Sequence, residues 1–137
     1  MPVPATLDQR VRKRARGVCE YCLLPESAYD IAFHVDHIIS DQHRGKATYT
    51  NLCVACPRCN LSKGPNIAGI DPDTRSLVPL FNPRKDRWDE HFRWRGARLL
   101  GLTPIGRATI HVLAMNNEMA LKHRKQLMTE GVFPPTR

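Results

Sequence analysis

Cys56-Pro57-Arg58-Cys59-Asn60-Leu61-Ser62-Lys63-Gly64 decides the reading of this 137-residue chain, because its C-x-x-C turn has a counterpart upstream in Cys19-Glu20-Tyr21-Cys22. Such a turn sets two thiolates on one side of a tetrahedral ion, and two turns complete a closed Zn²⁺ site with no open position for chemistry. Cys19, Cys22, Cys56 and Cys59 are therefore expected to be the ligands of a structural zinc. Reduced core cysteines or a redox C-x-x-C are the ordinary alternatives, and two pairs in one chain disfavour both. The fifth cysteine, Cys53, lies in the short apolar run around Leu52-Cys53-Val54-Ala55 and reads as a small buried hydrophobe.

Between the two turns, Ile31-Ala32-Phe33-His34-Val35-Asp36-His37-Ile38-Ile39 is β-rich and partly alternating, which predicts a strand. Ser40 to Thr50 is polar with one glycine, hence a loop; Asn51 to Ala55 predicts a second strand, and Asn60 to Lys63 a short helix stopped by Gly64-Pro65. Upstream, Thr6-Leu7-Asp8-Gln9 reads as a capping box, and Leu7, Val11 and Ala15 predict a helix over about 7–16 ended by Gly17. Downstream, residues 70–84 read as extended or looped. Thr103-Pro104 reads as a helix start, and Ile105, Ala108, Val112, Met115 and Met119 form an apolar stripe, so a single amphipathic helix over about 104–128 is expected. The class is α+β: a core over 1–65 with its basic helix, then a C-terminal extension over 66–137 packing on it.

The predicted strand carries polar groups that a core strand does not need. Asp36 and Asn60 offer hard oxygen donors suited to Mg²⁺ or Mn²⁺, and His37 offers a base near neutral pH. His34 sits two residues before Asp36 and should share its strand face, either as an extra metal or phosphate contact or as a structural side chain.

Asp36-His37-Ile38-Ile39, Thr50-Asn51-Leu52 and Cys56 to Gly64, in that order and between two cysteine pairs, resemble the HNH endonucleases of the ββα-metal class in their zinc-knuckle form. Over 78–109 the chain is also similar to the tail of a small, free-standing bacterial HNH subgroup. The resemblance implies a metal-dependent endonuclease that hydrolyses DNA phosphodiester bonds. By it, His37 is the general base, Asp36 and Asn60 hold the catalytic Mg²⁺ or Mn²⁺, and Asn51 fixes the loop that orients His37. Lys63, His43, Arg44 and Lys46 are candidate phosphate contacts, against an ordinary solvated role for each. The loop departs from many relatives, which carry paired glycines where this chain has Gln42-His43-Arg44-Gly45-Lys46.

With 21 Lys and Arg against 13 Asp and Glu, the net charge of +8 suits a polyanionic partner such as DNA, and the excess is spread over both halves. The run Arg10 to Arg16 contributes five of these charges, as a solvated helix face or a phosphate-contacting one. Trp88, Phe92 and Trp94, interleaved with arginines, could stack on unpaired bases but more often seal a core. No apolar run is long enough to span a membrane, and the opening Met1-Pro2-Val3-Pro4-Ala5-Thr6 lacks a secretory signal's apolar stretch, so a cytoplasmic protein is expected. One HNH site cuts one strand, so a double-strand break would need a homodimer or sequential action. A zinc-stabilised nucleic-acid-binding module without catalysis is the competing function, and it would need no base beside a hard-metal site.

Overall fold

The spacing of Leu7, Val11 and Ala15 does produce a helix. In the computed structural model, which describes residues 2–136, α1 spans Ala5–Ala15 and buries Val11 and Ala15. The expected capping box does not form. Pro4 occupies the N-cap without a side-chain hydrogen bond, Thr6 lies inside the first turn, and Asp8 pairs with Arg12 at 2.7 Å instead. Arg16 closes the helix in the left-handed region, and Gly17, also at positive φ, turns the chain away.

Strand β1 (His34–His37) pairs antiparallel with β2 (Leu52–Ala55), with Asp36 opposite Cys53 and His37 opposite Leu52. All four residues of β2 are buried, because α1 lies against the strand. The Arg14 guanidinium fixes that packing. It donates to the main-chain oxygens of Tyr49 at 2.7 Å and Leu52 at 2.6 Å, and sits 4.0 Å from the Tyr49 ring centroid. Arg12 likewise donates to the Phe33 carbonyl at 2.8 Å. Part of the basic run is thus structural, whereas Arg10, Lys13 and Arg16 remain exposed.

Helix α2 spans Pro57–Lys63 and so begins earlier than the expected Asn60. Pro57 at the first helical position has no N–H to lose, and Cys56 acts as N-cap, its sulfur accepting the Cys59 N–H. The order β1, β2, α2 is the ββα arrangement.

The segment expected to be extended or looped contributes to a hairpin, β3 (Ala68–Ile70) with β4 (Leu77–Pro79). At its turn the Asp71 carboxylate takes a bidentate pair from Arg107 at 2.9 and 3.0 Å and a Thr74 hydroxyl at 2.7 Å. Arg107 holds that carboxyl well below the usual carboxylate range. A short helix α3 (Trp88–His91) leads into a third hairpin, β5 (Phe92–Arg95) with β6 (Arg98–Gly101).

The long C-terminal helix is a correction: two helices form, α4 (Pro104–Val112) and α5 (Glu118–Thr129). Asparagine side chains make the break. Asn116 bonds both main-chain groups of Leu99, its Oδ1 accepting at 2.8 Å and its Nδ2 donating at 2.7 Å, and Asn117 caps α5 by accepting the Ala120 N–H. Ala114 at positive φ completes the corner. The stripe accordingly splits, with Met115 buried and Met119 71% exposed.

One cluster of buried side chains runs through the molecule, joining Cys19, Tyr21 and Leu52 to Phe81, Trp88, Leu113 and Leu127. Trp88 and Phe92 are buried within it, and the Trp88 indole donates to the Tyr21 carbonyl at 2.7 Å. Trp94 packs against Trp88 and Phe133. The aromatics seal a core, as their ordinary role suggests.

Candidate active site and zinc centre

The four knuckle cysteines converge. Cys19, Cys22, Cys56 and Cys59 are buried, and their sulfur atoms lie within 4.8 Å of one another, with Cys22 and Cys56 at 3.8 Å. Each turn has the same internal geometry: the Cys22 N–H points to the Cys19 sulfur at 3.5 Å, and the Cys59 N–H to the Cys56 sulfur at 3.4 Å. In the first turn Leu23 adopts positive φ, so that Cys19 N–H reaches the Leu24 carbonyl at 2.9 Å. Burial pushes the Cys19 thiol up, and the neighbouring sulfurs do the same for Cys59, whereas hydrogen bonds from the other three pull Cys56 down. A dry pocket of four sulfurs cannot hold four negative charges unaided, and a bound dication removes the conflict. The donor set and its burial fit a structural Zn²⁺.

Glu20, inside the first turn, was not singled out from the sequence. Its main-chain N–H donates to the Val54 carbonyl at 2.9 Å, and its carboxylate accepts the Val54 N–H at 2.8 Å. The other carboxylate oxygen pairs with Arg84. One residue thus ties the first knuckle, the edge of β2 and the C-terminal half together. Only the long-range fold shows this, since nothing local marks a glutamate between two cysteines.

Strand β1 presents the predicted polar set. Asp36 is half-buried; burial raises its pKa, opposed by the Lys63 ammonium, the His37 N–H and the two imidazoles. His37 carries its Nε2 in a buried position without a hydrogen-bond partner among the described residues. Asn60 lies mid-way along α2, half-buried, and its side-chain amide bonds no other described residue. A carboxylate, a carboxamide and an orphaned imidazole nitrogen are the donor chemistry that a hard divalent ion and its water require.

Lys63, expected at a phosphate, is turned inward instead. It is 2% exposed, and its Nζ donates to the His37 carbonyl at 3.4 Å. Burial lowers its pKa, with Asp36 opposing. The last turn of α2 is therefore fastened beneath the end of β1 by a cation that Asp36, the candidate metal ligand, attracts. His34 is exposed. Among the described residues, the cysteines are the one set of three or more His, Cys, Asp or Glu side chains whose donor atoms lie within 4.8 Å of one another. His34, Asp36 and His37 do not close into such a set.

Asn51 brackets the loop after β1. Its Oδ1 accepts the Ile39 N–H at 3.0 Å, and its Nδ2 donates to the carbonyls of Ile39 and Lys46, both at 2.9 Å. This explains how the loop manages without paired glycines. Arg44 takes the left-handed conformation, φ 66°, while Gly45 supplies the close approach, since a Cβ there would collide with the Ile39 carbonyl and crowd the Asn51 amide. Gly45→Ala is accordingly expected to displace the 39–46 loop. A melt should show a loss of a few degrees, and the Ile39 and Arg44 amides, which donate to Asn51 Oδ1 and to the Asp41 carbonyl, should become faster to exchange, while zinc content stays unchanged. His43, Arg44 and Lys46 project from this loop into solvent.

Residues 19–66 match the HNH endonuclease family. No curated protein and no solved structure matches the chain. Among the described residues, no helix is long and apolar enough to cross a membrane.

Proposed function

We propose that this chain, whose residues 19–66 form an HNH endonuclease domain, is a metal-dependent endonuclease that hydrolyses DNA phosphodiester bonds. The observation that carries the reading is the buried, unpartnered Nε2 of His37 on a strand whose exit loop is clamped by Asn51. A buried polar atom without a partner costs roughly 1–3 kcal/mol and calls for a functional account.

In this account His37 takes the proton from the attacking water. Asp36 and Asn60 would hold one Mg²⁺ or Mn²⁺, which would neutralise the negative charge that develops as the P–O bond breaks. Asn51 works through geometry, fixing the direction in which β1 delivers the imidazole. Lys63 holds the His37 carbonyl and balances the Asp36 charge from within, so it is a positioning residue rather than a phosphate contact. Exposed His43, Arg44 and Lys46 meet the backbone beside the cut. Residues 1–65 are the catalytic core and 66–137 an extension that braces it through Arg84 and Trp88.

Metal titration of nicking tests the assignment. With zinc loaded, Asp36→Asn and Asn60→Ala should each raise the Mg²⁺ concentration for half-maximal nicking by about tenfold or more, with little change in melting temperature for Asn60→Ala and some loss for Asp36→Asn, which strips buried Lys63 of its counter-charge. Titrations that superimpose on wild type would remove both residues from the metal site. Duplex binding without cleavage under any divalent ion would favour the non-catalytic binding module.

A further inference from the structure

We propose that the outer face of the β5–β6 hairpin is a second contact for nucleic acid, gripping the phosphate backbone of duplex DNA away from the scissile bond. It rests on the DNA reading above and lies outside the segment that matches the HNH family.

The register divides the hairpin into two faces. Phe92 opposes Gly101 and Trp94 opposes Leu99, and Phe92 and Leu99 are buried in the core. Alternation sends the intervening pairs outward: Arg93 opposite Leu100, and Arg95 opposite Arg98. All three arginines are exposed. Two like charges directly across an antiparallel pair destabilise it. Among the described residues no carboxylate relieves them, because the arginines in salt bridges are Arg12, Arg84, Arg87 and Arg107. A face that accumulates uncompensated cations at a cost to its own pairing is suited to an external anion.

The hairpin is also held rigidly from behind. Asn116 fixes both main-chain groups of Leu99. Arg124, 1% exposed, donates to the Ala97 carbonyl at 2.7 Å and to Asn116 at 3.0 Å, with its guanidinium 5.2 Å from the Trp94 ring. Its charge is favoured by the Cys22 and Cys59 sulfurs inside, so it braces the turn and leaves the outward arginines as the exposed cations. An open cleft of about 770 Å³ runs beside the hairpin, lined by Arg93, Arg98 and His111 over Leu102 and Ile110.

The arrangement favours backbone over base. Trp94, the aromatic that alternates with the arginines, faces inward against Trp88 and Phe133 and offers no stacking platform. Arg93 and Arg95 are two residues apart on one strand face, roughly 7 Å, comparable with the through-space separation of neighbouring phosphates on one DNA strand. The contact is therefore with duplex phosphates and independent of sequence.

Binding of a long fluorescent duplex to zinc-loaded His37→Ala protein, without added Mg²⁺, tests this by anisotropy. Adding R93Q, R95Q and R98Q should weaken Kd by about tenfold or more at moderate salt and reduce the slope of log Kd against log salt by roughly 2–3. Zinc content should be unchanged and Tm equal or higher, since like-charge repulsion is removed. The charge-matched variant R87Q/K122Q/K125Q should keep the affinity within a few-fold. Equal losses in the two triple variants would assign the effect to overall charge and overturn the proposal. So would unchanged binding by the hairpin variant, a loss confined to single-stranded DNA, or displacement of the duplex by millimolar inorganic phosphate. A lowered Tm in both the triple variant and R95Q alone would show a structural role and overturn it too. If the His37→Ala parent binds no duplex at all, the DNA reading fails and this contact with it. If the parent binds and the hairpin variant matches it, the hairpin contact alone falls.

Discussion

Cys56→Ser is expected to abolish zinc binding and to lower the melting temperature by more than about 10 °C. Cys56 is wholly buried, stands 3.8 Å from the Cys22 sulfur, and accepts the Cys59 N–H as the cap of α2. Its loss removes one ligand of a closed site and the start of the helix that carries Asn60 and Lys63. Structural zinc supplies about 10–16 kcal/mol of apparent folding energy in isolated fingers, comparable with the whole stability of a domain, about 5–15 kcal/mol. The effect is smaller here than in a finger, because the core around Phe81, Phe92 and Leu113 does not depend on the metal. Several kcal/mol nonetheless correspond to a shift of ten degrees or more at this size. Cys53→Ser is the matched control: its thiol, pushed up to about 12 by burial, lies 3.7 Å from the Tyr21 hydroxyl and outside the sulfur cluster, so zinc is retained. Metal analysis per chain with a thermal melt checks both. Zinc content and Tm unchanged in Cys56→Ser would remove the knuckle.

His37→Ala should reduce single-turnover cleavage of a labelled duplex by about 10²–10⁴ at saturating Mg²⁺, the range for loss of a positioned general base. Its Tm should scarcely move. The Nε2 atom makes no hydrogen bond to a described residue, so truncation sacrifices no bond there and relieves an orphaned polar atom. Asn51→Ala should behave differently. It removes three hydrogen bonds on the 39–46 loop, so activity and Tm fall together. Melts and rates measured on the same preparations separate the base from the residue that aims it. A His37→Ala protein that loses rate only in proportion to lost fold would place His37 among the structural residues.

The four-cysteine cluster was legible because C-x-x-C geometry is local, and two copies leave few alternatives. The ββα order was legible for a similar reason, since β-rich runs and a Gly-Pro stop lie close together in the chain. The placement of Asp36 and His37 on a strand and Asn60 on the following helix was readable from residue types at fixed offsets. Lys63 was misread because sequence marks a lysine as solvated, and only the packing of α2 under β1 turns its ammonium inward. Glu20 was invisible because its partners, Val54 and Arg84, are far away in sequence. The single C-terminal helix failed at Asn116 and Asn117, where a continuous apolar stripe outweighed the capping signal and the two main-chain bonds to Leu99 could not be foreseen. The capping box failed because Pro4 set the helix start earlier. At Lys63, Glu20 and Asn116 the deciding partners are distant in sequence.

The central claim is that a zinc-locked ββα frame presents Asp36, His37 and Asn60 to a DNA phosphate. Conversion of supercoiled plasmid to nicked circles tests it most directly, with zinc-loaded wild type and His37→Ala compared in Mg²⁺ or Mn²⁺ at matched fold and zinc content. The account predicts nicked circles with wild type, dependent on the added ion, and almost none with His37→Ala. Equal nicking by the two proteins, or none by folded wild type with either ion, would contradict it.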